Sequence, residues 1–523
     1  MIEIFANAFL SLMTLEIVAA MVFGTLMGVV VGAMPGLTTT VGLAVLIPFT
    51  FGMSPPIALG LMAGIYNGST YGGAIPAILL NIPGTPAAVA TTFDGYPMSQ
   101  KGRSAEALKI ACYSSALGAI LSALALMLLA PPLSLVTLSF GPAEYFWVAV
   151  LGLVTISVLL GADPLKGLIS ATLGIFISTV GMDGMTGRMR FTFGRLELAD
   201  GINIVVLLVG LFALPRVFRM AEDAISIGVT RDVLNLKGSK ANLSALGFLI
   251  PTWIRSGAIG IIIGILPGAG GNIAAFLSYN EAKRLGRNDD IEFGKGNPKG
   301  VAAAEAGNSS DNGASLIPTL TLGVPGNSIA AVILGGLLVH GLQPGPSLFR
   351  DNAEIVYGFM IQMLLTAMLL FVVGGMLATR VFAQVLRIPQ TMLAPMIVCL
   401  MVMGVYTVNN TTFDLYFMIA FGLIGYFMNK RGFPLAPLVL GVILGGLAEQ
   451  SLKTALRISR GDWGILFSNT ISQIIILIIF LALLAPAWQW LRAKMAARNA
   501  NDTEKGGGRN RSKPKGSARA GKN

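Results

Sequence analysis

Apolar runs follow one another along most of this 523-residue chain, separated by short polar turns. Eleven of them lie near 17–31, 105–130, 145–160, 168–180, 202–214, 245–266, 355–378, 393–406, 415–427, 435–447 and 465–484. A helix crossing the hydrocarbon of a bilayer takes about 20 mostly apolar residues. Only helices and closed barrels satisfy their own backbone there. With 54% hydrophobic and 12% charged residues, the chain lacks the charged skin of a soluble protein, in which about 25% of residues are charged. The expected fold is an all-α polytopic membrane protein with about 10–12 transmembrane helices.

Charge and cysteine usage narrow the class. Cys112 and Cys399 both sit in apolar runs and read as small buried residues, not as a disulfide. With one histidine, His340, and no cysteine cluster, no transition-metal or haem site is expected. The net charge of +11 resides largely in a Gly-, Ser- and Lys-rich tail, where ten Lys/Arg from Arg492 onward face Asp502 and Glu504. Such a segment cannot bury a core and is expected to be disordered, held near anionic lipid on the cytoplasmic side and not on nucleic acid. The first residues carry no positive n-region, so no cleaved signal peptide is expected.

Two stretches, 34–93 and 267–345, are apolar yet crowded with Gly, Pro, Asn, Ser and Thr. Irregular backbone at membrane depth is tolerated where it is buried in protein or lines a cavity. These stretches therefore read as broken helices and re-entrant hairpins. They also match each other in order. Gly32-Ala33-Met34-Pro35-Gly36 matches Gly264-Ile265-Leu266-Pro267-Gly268, and Asn67 to Gly72 matches Asn308 to Gly313. Ile75-Pro76 matches Ile317-Pro318, Pro83-Gly84 matches Pro325-Gly326, and Asp94-Gly95 matches His340-Gly341. The chain then divides into a first membrane repeat (1–215), a polar linker (216–243), a second membrane repeat (244–490) and the basic tail (491–523). Lys283, Arg284, Arg287, Lys295 and Lys299 have no counterparts in the first repeat, while Lys101, Arg103 and Lys109 face only Arg350. That asymmetry favours inverted over parallel repeats, although Arg188, Arg190 and Arg195 compete with Lys430 and Arg431 for one side.

Paired, Gly/Pro-interrupted apolar segments point to the binding site of a secondary transporter. A small anion would be met there by half-helix N-termini, closely approaching glycine backbone and neutral donors. The candidates are Gly36, Thr38, Thr39, Pro83, Gly84, Thr85, Gly270, Gly271, Asn272, Pro325, Gly326, Asn327 and Ser328. The alternative for each polar one is a helix cap. Oxygen ligands for a coupling cation are expected from Asn67, Ser69, Thr70, Asn308, Ser309 and Asp311. Asp311 stands out as an acid inside a neutral block. Glu305 is expected at a water-facing helix start. Asp94 and His340 read as hairpin closures, and Asp183 as a span-end charge without a role. No nucleophile–base pair or nucleotide loop is visible, so no catalytic residue and no organic cofactor are expected.

The blocks Gly32 to Leu37, Tyr66 to Gly73, Leu79 to Pro86, Phe93 to Pro97 and Gly264 to Gly270 resemble the TctA family, the large membrane subunit of bacterial tripartite tricarboxylate transporters. The resemblance covers about residues 15 to 490 and excludes the tail. It implies a multi-pass protein of the bacterial inner membrane that works with a small membrane subunit and a periplasmic solute-binding protein. It further implies a tricarboxylate or related organic acid as substrate, and import driven by a cation, sodium or a proton. Two other readings stay open from the residues alone: a passive organic-anion channel, and a membrane-embedded enzyme acting on a lipid-linked substrate.

Overall fold

A computed structural model describes residues 2–34, 36–159, 163–224, 243–287, 289–377 and 390–484. The linker beyond Ala224 and the basic tail lie outside the described residues. The chain is an all-α polytopic membrane protein; among the described residues, eight helices are long and apolar enough to cross a membrane. Strand is confined there to one small hairpin, Gly181–Met182 with Met189–Arg190.

In the first half, α1 (Leu15–Ala33), α2 (Thr39–Thr50) and α3 (Pro55–Gly72) are followed by the seven-residue α4 (Ala74–Leu80), then α5 (Val89–Gln100) and the long α6 (Ser104–Thr137). Beyond α6 come α7 (Pro142–Leu159), α8 (Pro164–Ser178) and α9 (Ile204–Glu222). The second half repeats the first pattern. It has α10 (Ile250–Ile265), α11 (Gly270–Leu285), α12 (Pro298–Ser309), the one-turn α13 (Asp311–Ala314), the seven-residue α14 (Leu316–Leu322), α15 (Ser328–Val339) and the long α16 (Ala353–Leu377). The helices α17 (Gln390–Asn409), α18 (Thr412–Lys430), α19 (Leu435–Ile458) and α20 (Thr470–Leu484) complete the described bundle.

Small residues bring the first helices together. Gly24, Gly28 and Gly32 on α1 face Leu61, Ile65 and Ser69 on α3. Gly64, Gly68 and Gly72 answer from α3 against the backbone around Thr25, Val29 and Ala33. Numbers rise together, so the two helices run the same way. A Cβ on Gly28 would stand 2.6 Å from the Ile65 carbonyl oxygen. Close approach of this kind replaces the hydrophobic effect as the packing force between helices in lipid. The pair α10 and α12–α13 is built alike, with Gly260 on Gly307 and Ser310, and Gly264 on Asp311 and Ala314.

Each half also wraps the broken helix of the other. The long α6 lies along α12–α13: Ser310 Oγ donates to the Gly118 carbonyl (3.1 Å), and Gly313 N–H to Ser122 Oγ (3.1 Å). Reciprocally, α16 lies along α3. Gln362 donates to the Pro56 carbonyl (2.7 Å), and Asn67 Nδ2 to the Met363 carbonyl (3.0 Å).

Two expectations change. Glu305 does not face water at a helix start; it is fully buried within α12, because α5 and α6 cover that face of the helix. Cys399 is exposed on α17, whereas Cys112 is buried as expected. An apolar run does not say which face of a helix meets lipid, and Cys399 falls on the outer one.

Candidate functional site

The Pro-Gly breaks are built the same way twice. Helix α4 ends at Asn81 and helix α14 at Gly323, both in left-handed backbone (φ 58° and 73°). The chain then turns back: Ile82 N–H reaches the Pro76 carbonyl (3.3 Å) and Val324 N–H the Pro318 carbonyl (3.2 Å). Two residues on, Gly84 N–H donates to Gly73 and Gly326 N–H to Ser315, each at 3.2 Å. Gly84 rests on the Gly32 carbonyl and Gly326 on the Gly264 carbonyl, so each break closes over the end of its half's first helix. There is no room for a side chain at either glycine; a Cβ on Gly326 would lie 2.7 Å from Gly264 O.

Between the two breaks lies a buried amide and hydroxyl network joining the halves. Asn312 Nδ2 donates to Asn67 Oδ1 (2.9 Å), and Thr70 Oγ1 donates to Asn312 Oδ1 (3.2 Å). Asn67 also donates to Thr366 Oγ1 on α16 (2.9 Å). The Tyr66 hydroxyl meets Ser315 Oγ (3.1 Å) and accepts from Asn327 Nδ2 (3.0 Å). Along these contacts numbers fall in α3 while they rise in the second half, so α3 and α13 run in opposite senses. Buried polar groups in such a place persist because they are paired.

Asp311 is the acidic member. It is 2% exposed, and its Oδ2 accepts from Asn327 Nδ2 at 2.5 Å. Among the described residues its Oδ1 has no hydrogen-bond partner, and neither has the buried Ser309 Oγ. Over Gly271 the oxygens converge. A Cβ there would lie 2.5 Å from Asn308 Oδ1, 3.2 Å from the Asn308 carbonyl and 3.4 Å from Asp311 Oδ2. The missing side chain leaves a cradle of hard oxygen atoms at the junction of α12 and α13. Oxygen sets of this kind suit hard cations. Among the described residues no cluster of three His, Cys, Asp or Glu could hold a metal ion.

The anticipated cation ligands therefore separate. Asn308 and Asp311 gather at Gly271, Ser309 Oγ is buried without a hydrogen-bond partner among the described residues, Asn67 and Thr70 meet Asn312, and Ser69 bonds back to the Ile65 carbonyl (2.6 Å). The anticipated anion ligands separate as well. Thr38 caps α2 by accepting from Val41 N–H (3.4 Å), with Thr39 buried behind it. Gly36 (φ 90°) lies beneath the Arg216 guanidinium of α9. Thr85 Oγ1 is buried beside Gly73, next to Pro83 and Gly84, and has no hydrogen-bond partner among the described residues. Asn272 lies on the exposed face of α11, one residue beyond Gly270 and Gly271. Asn327 caps α15 by accepting from Ala330 N–H (2.7 Å), with Pro325 and Gly326 before it and half-buried Ser328 after it. A hollow of about 500 Å³ between α10 and α11, lined by Arg255 and Glu281 among others, lies apart from these groups.

Sequence reasoning missed Tyr66, Asn312 and Ser315, which knit the network. Asn312 was inside a matched block and Tyr66 beside one, but only the crossing of the helices pairs them. Asp94 and His340, matched in sequence, do different things. Asp94 Oδ1 accepts three backbone N–H groups, from Gly294, Gly296 and Asn297, each at 2.8 Å, and Oδ2 accepts from the Tyr279 hydroxyl (2.9 Å). His340, half-buried, meets Thr50 Oγ1 (3.0 Å) at the end of α2.

Helices broken at matched Pro-Gly turns and closed around a buried polar network define a multi-span membrane transport protein. The chain belongs to the Tripartite tricarboxylate transporter TctA family, whose model matches residues 18–440. It is 39% identical to the "Uncharacterized 52.8 kDa protein in TAR-I ttuC' 3'region" of Agrobacterium vitis, over 86% of this chain and 89% of that protein. It is 38% identical to the "Uncharacterized protein in TAR-II ttuC' 3'region" of the same organism, over 41% of this chain and 87% of that protein. No solved structure matches significantly.

Proposed function

We propose that this chain is the large membrane subunit of a cation-coupled importer of tricarboxylates or related organic acids. In this reading it takes substrate from a periplasmic solute-binding protein and works with a small membrane subunit in the bacterial inner membrane. The basic tail lies on the cytoplasmic side, by the positive-inside argument. The two halves act as inverted repeats; the opposed run of α3 and α13 and the reciprocal wrapping by α6 and α16 support this.

One observation carries the coupling: the buried Asp311 carboxylate, whose Oδ1 beside Gly264 has no hydrogen-bond partner among the described residues and whose Oδ2 joins the Asn308 oxygens over Gly271. An uncompensated acid inside a membrane protein is costly, and a bound sodium ion would offset that cost. The break at Gly326 adjoins this network through Ser315 and Asn327, and the two breaks, with Thr85 and Ser328 beside them, supply backbone and hydroxyl groups for a carboxylate substrate. The chain itself acts as a carrier and not as an enzyme.

The test is uptake of labelled citrate into vesicles holding this chain and its small partner, with the binding protein outside. Accumulation is expected to follow an inward sodium gradient. The Asp311→Asn chain should lose at least about tenfold in rate and most of its sodium dependence, equivalent to about 1.4 kcal/mol or more. Uptake that only equilibrates, whatever the gradient, would replace the carrier by a channel. Ordinary sodium activation in Asp311→Asn would remove Asp311 from the cation site.

A further inference from the structure

A second buried acid sits six residues before Asp311 and is built differently. Glu305 is 0% exposed. Ser115 Oγ on α6 donates to its Oε2 at 2.7 Å, and Thr91 Oγ1 on α5 donates to its Oε1. Both carboxylate oxygens are thus closed by neutral hydroxyls from the first half, while Glu305 itself belongs to the second. Among the described residues, no salt bridge includes it.

The surrounding titratable groups supply no compensating charge. On α3 Tyr71 interacts with Glu305, and on α6 Cys112 does, whose thiol donates to the Leu370 carbonyl (3.4 Å). Asp94 of α5 and Tyr279 of α11 are bonded to each other. Arg255 of α10 is exposed and donates to the Pro251 carbonyl (3.0 Å). Asp311 of α13 is held by Asn327.

The contrast with Asp311 decides the chemistry. Asp311 has one oxygen, Oδ1 beside Gly264, with no hydrogen-bond partner among the described residues, and its other oxygen joins those of Asn308 over Gly271, a hard-oxygen set that suits a metal cation. At Glu305 both oxygens already accept from hydroxyls at hydrogen-bond distance, so neither is spare for a cation. A proton fits: a neutral carboxyl donates to one hydroxyl and accepts from the other without moving a heavy atom, since a hydroxyl both donates and accepts. Neutralisation by a proton also removes the desolvation cost of an unpaired buried charge.

We propose that Glu305 is a proton-carrying site, separate from the cation cradle at Asp311. In the state open to one side of the membrane, a Glu305 oxygen takes a proton from hydronium: one hydronium O–H bond breaks, the carboxyl O–H bond forms, and water is left. In the state open to the other side that bond breaks, the proton passes to water there, and the carboxylate is left to Ser115 and Thr91. This rests on the carrier reading for its place in a transport cycle, although the protonation itself is read without substrate.

The experiment is an infrared pH titration of the purified full-length protein in lipid nanodiscs. The wild type is expected to show a protonated-carboxyl C=O band of Glu305 that is lost reversibly as the pH is raised. Glu305→Gln should lack that band. Ser115→Ala should keep it and shift it to higher frequency, because one hydrogen bond to the carboxyl is gone. Added sodium should leave it in place. Identical pH-difference spectra for wild type and Glu305→Gln would overturn the proposal, as would displacement of the band by sodium. Should Glu305→Gln fail to accumulate, Ser115→Ala decides, since a band it does not move does not arise from Glu305. Failure of sodium-driven citrate uptake would overturn the carrier reading and leave this result standing.

Discussion

The side-chain amides of Asn67 and Asn312, one from each half of the chain, meet at 2.9 Å in the interior of the bundle. The Asn312 amide donates to Asn67 and its carbonyl accepts from Thr70, so this side chain fastens α3 to α13 twice. Asn67 in turn donates to α16, which belongs to the second half. The polar blocks of the two repeats are one structure once the halves cross.

That contact predicts an energetic coupling. Asn67→Ala and Asn312→Ala should each destabilise the purified protein in detergent unfolding. The double variant should cost less than the sum, with a coupling of about 0.5–1.5 kcal/mol, the range found for hydrogen bonds between helices in membranes. Strict additivity would show that the two amides act independently.

The two Pro-Gly breaks leave no space for a side chain. A Cβ at Gly84 would lie 2.8 Å from Gly73 Cα, and one at Gly326 would lie 2.8 Å from Ser315 Cα. Gly84→Val and Gly326→Val should each abolish citrate uptake, with strain of about 1–3 kcal/mol from overpacking. Gly446→Val is the control, because a Cβ there meets nothing within 4 Å. Uptake measured against the amount of protein in the membrane checks this; normal rates in both break variants would remove the breaks from the transport path.

Acid should loosen the hairpin that follows α8. Asp183 accepts from Lys453 Nζ (2.5 Å) and from Met185 N–H (2.9 Å), and these bonds hold its carboxyl well below the usual carboxylate range. A carboxyl depressed in the folded state stabilises at neutral pH, and that contribution is lost as the pH falls through its folded value. Hydrogen exchange at residues 181–190 should therefore rise on acidification in the wild type. In Asp183→Asn it should already be raised at neutral pH and respond less to acid. Equal pH responses would show that Asp183 does not hold the hairpin.

Much of the architecture was legible because lipid imposes a simple rule. A backbone without water has to satisfy itself, so apolar length marks helices, and Gly, Pro and Asn inside apolar sequence mark the places where helices stop. Pro83-Gly84 and Pro325-Gly326 were visible as breaks, and the structure closes both with the same hydrogen bonds. Asp311 was visible as an acid inside a neutral block.

What the sequence determined by itself is local: helical runs, their interruptions, the order of the repeat and the family it resembles. The tertiary structure alone decided which polar groups share a site. Asn67 and Asn308 are matched in sequence, yet Asn67 joins Asn312 and Asn308 joins Asp311 over Gly271. Asp94 and His340 are matched too, but one fills a nest of backbone N–H groups and the other meets Thr50. Glu305 is buried only because helices α5 and α6 of the other half fold over it. Spacing along a helix sets the face a side chain occupies, and burial and partners follow from which distant helix covers that face.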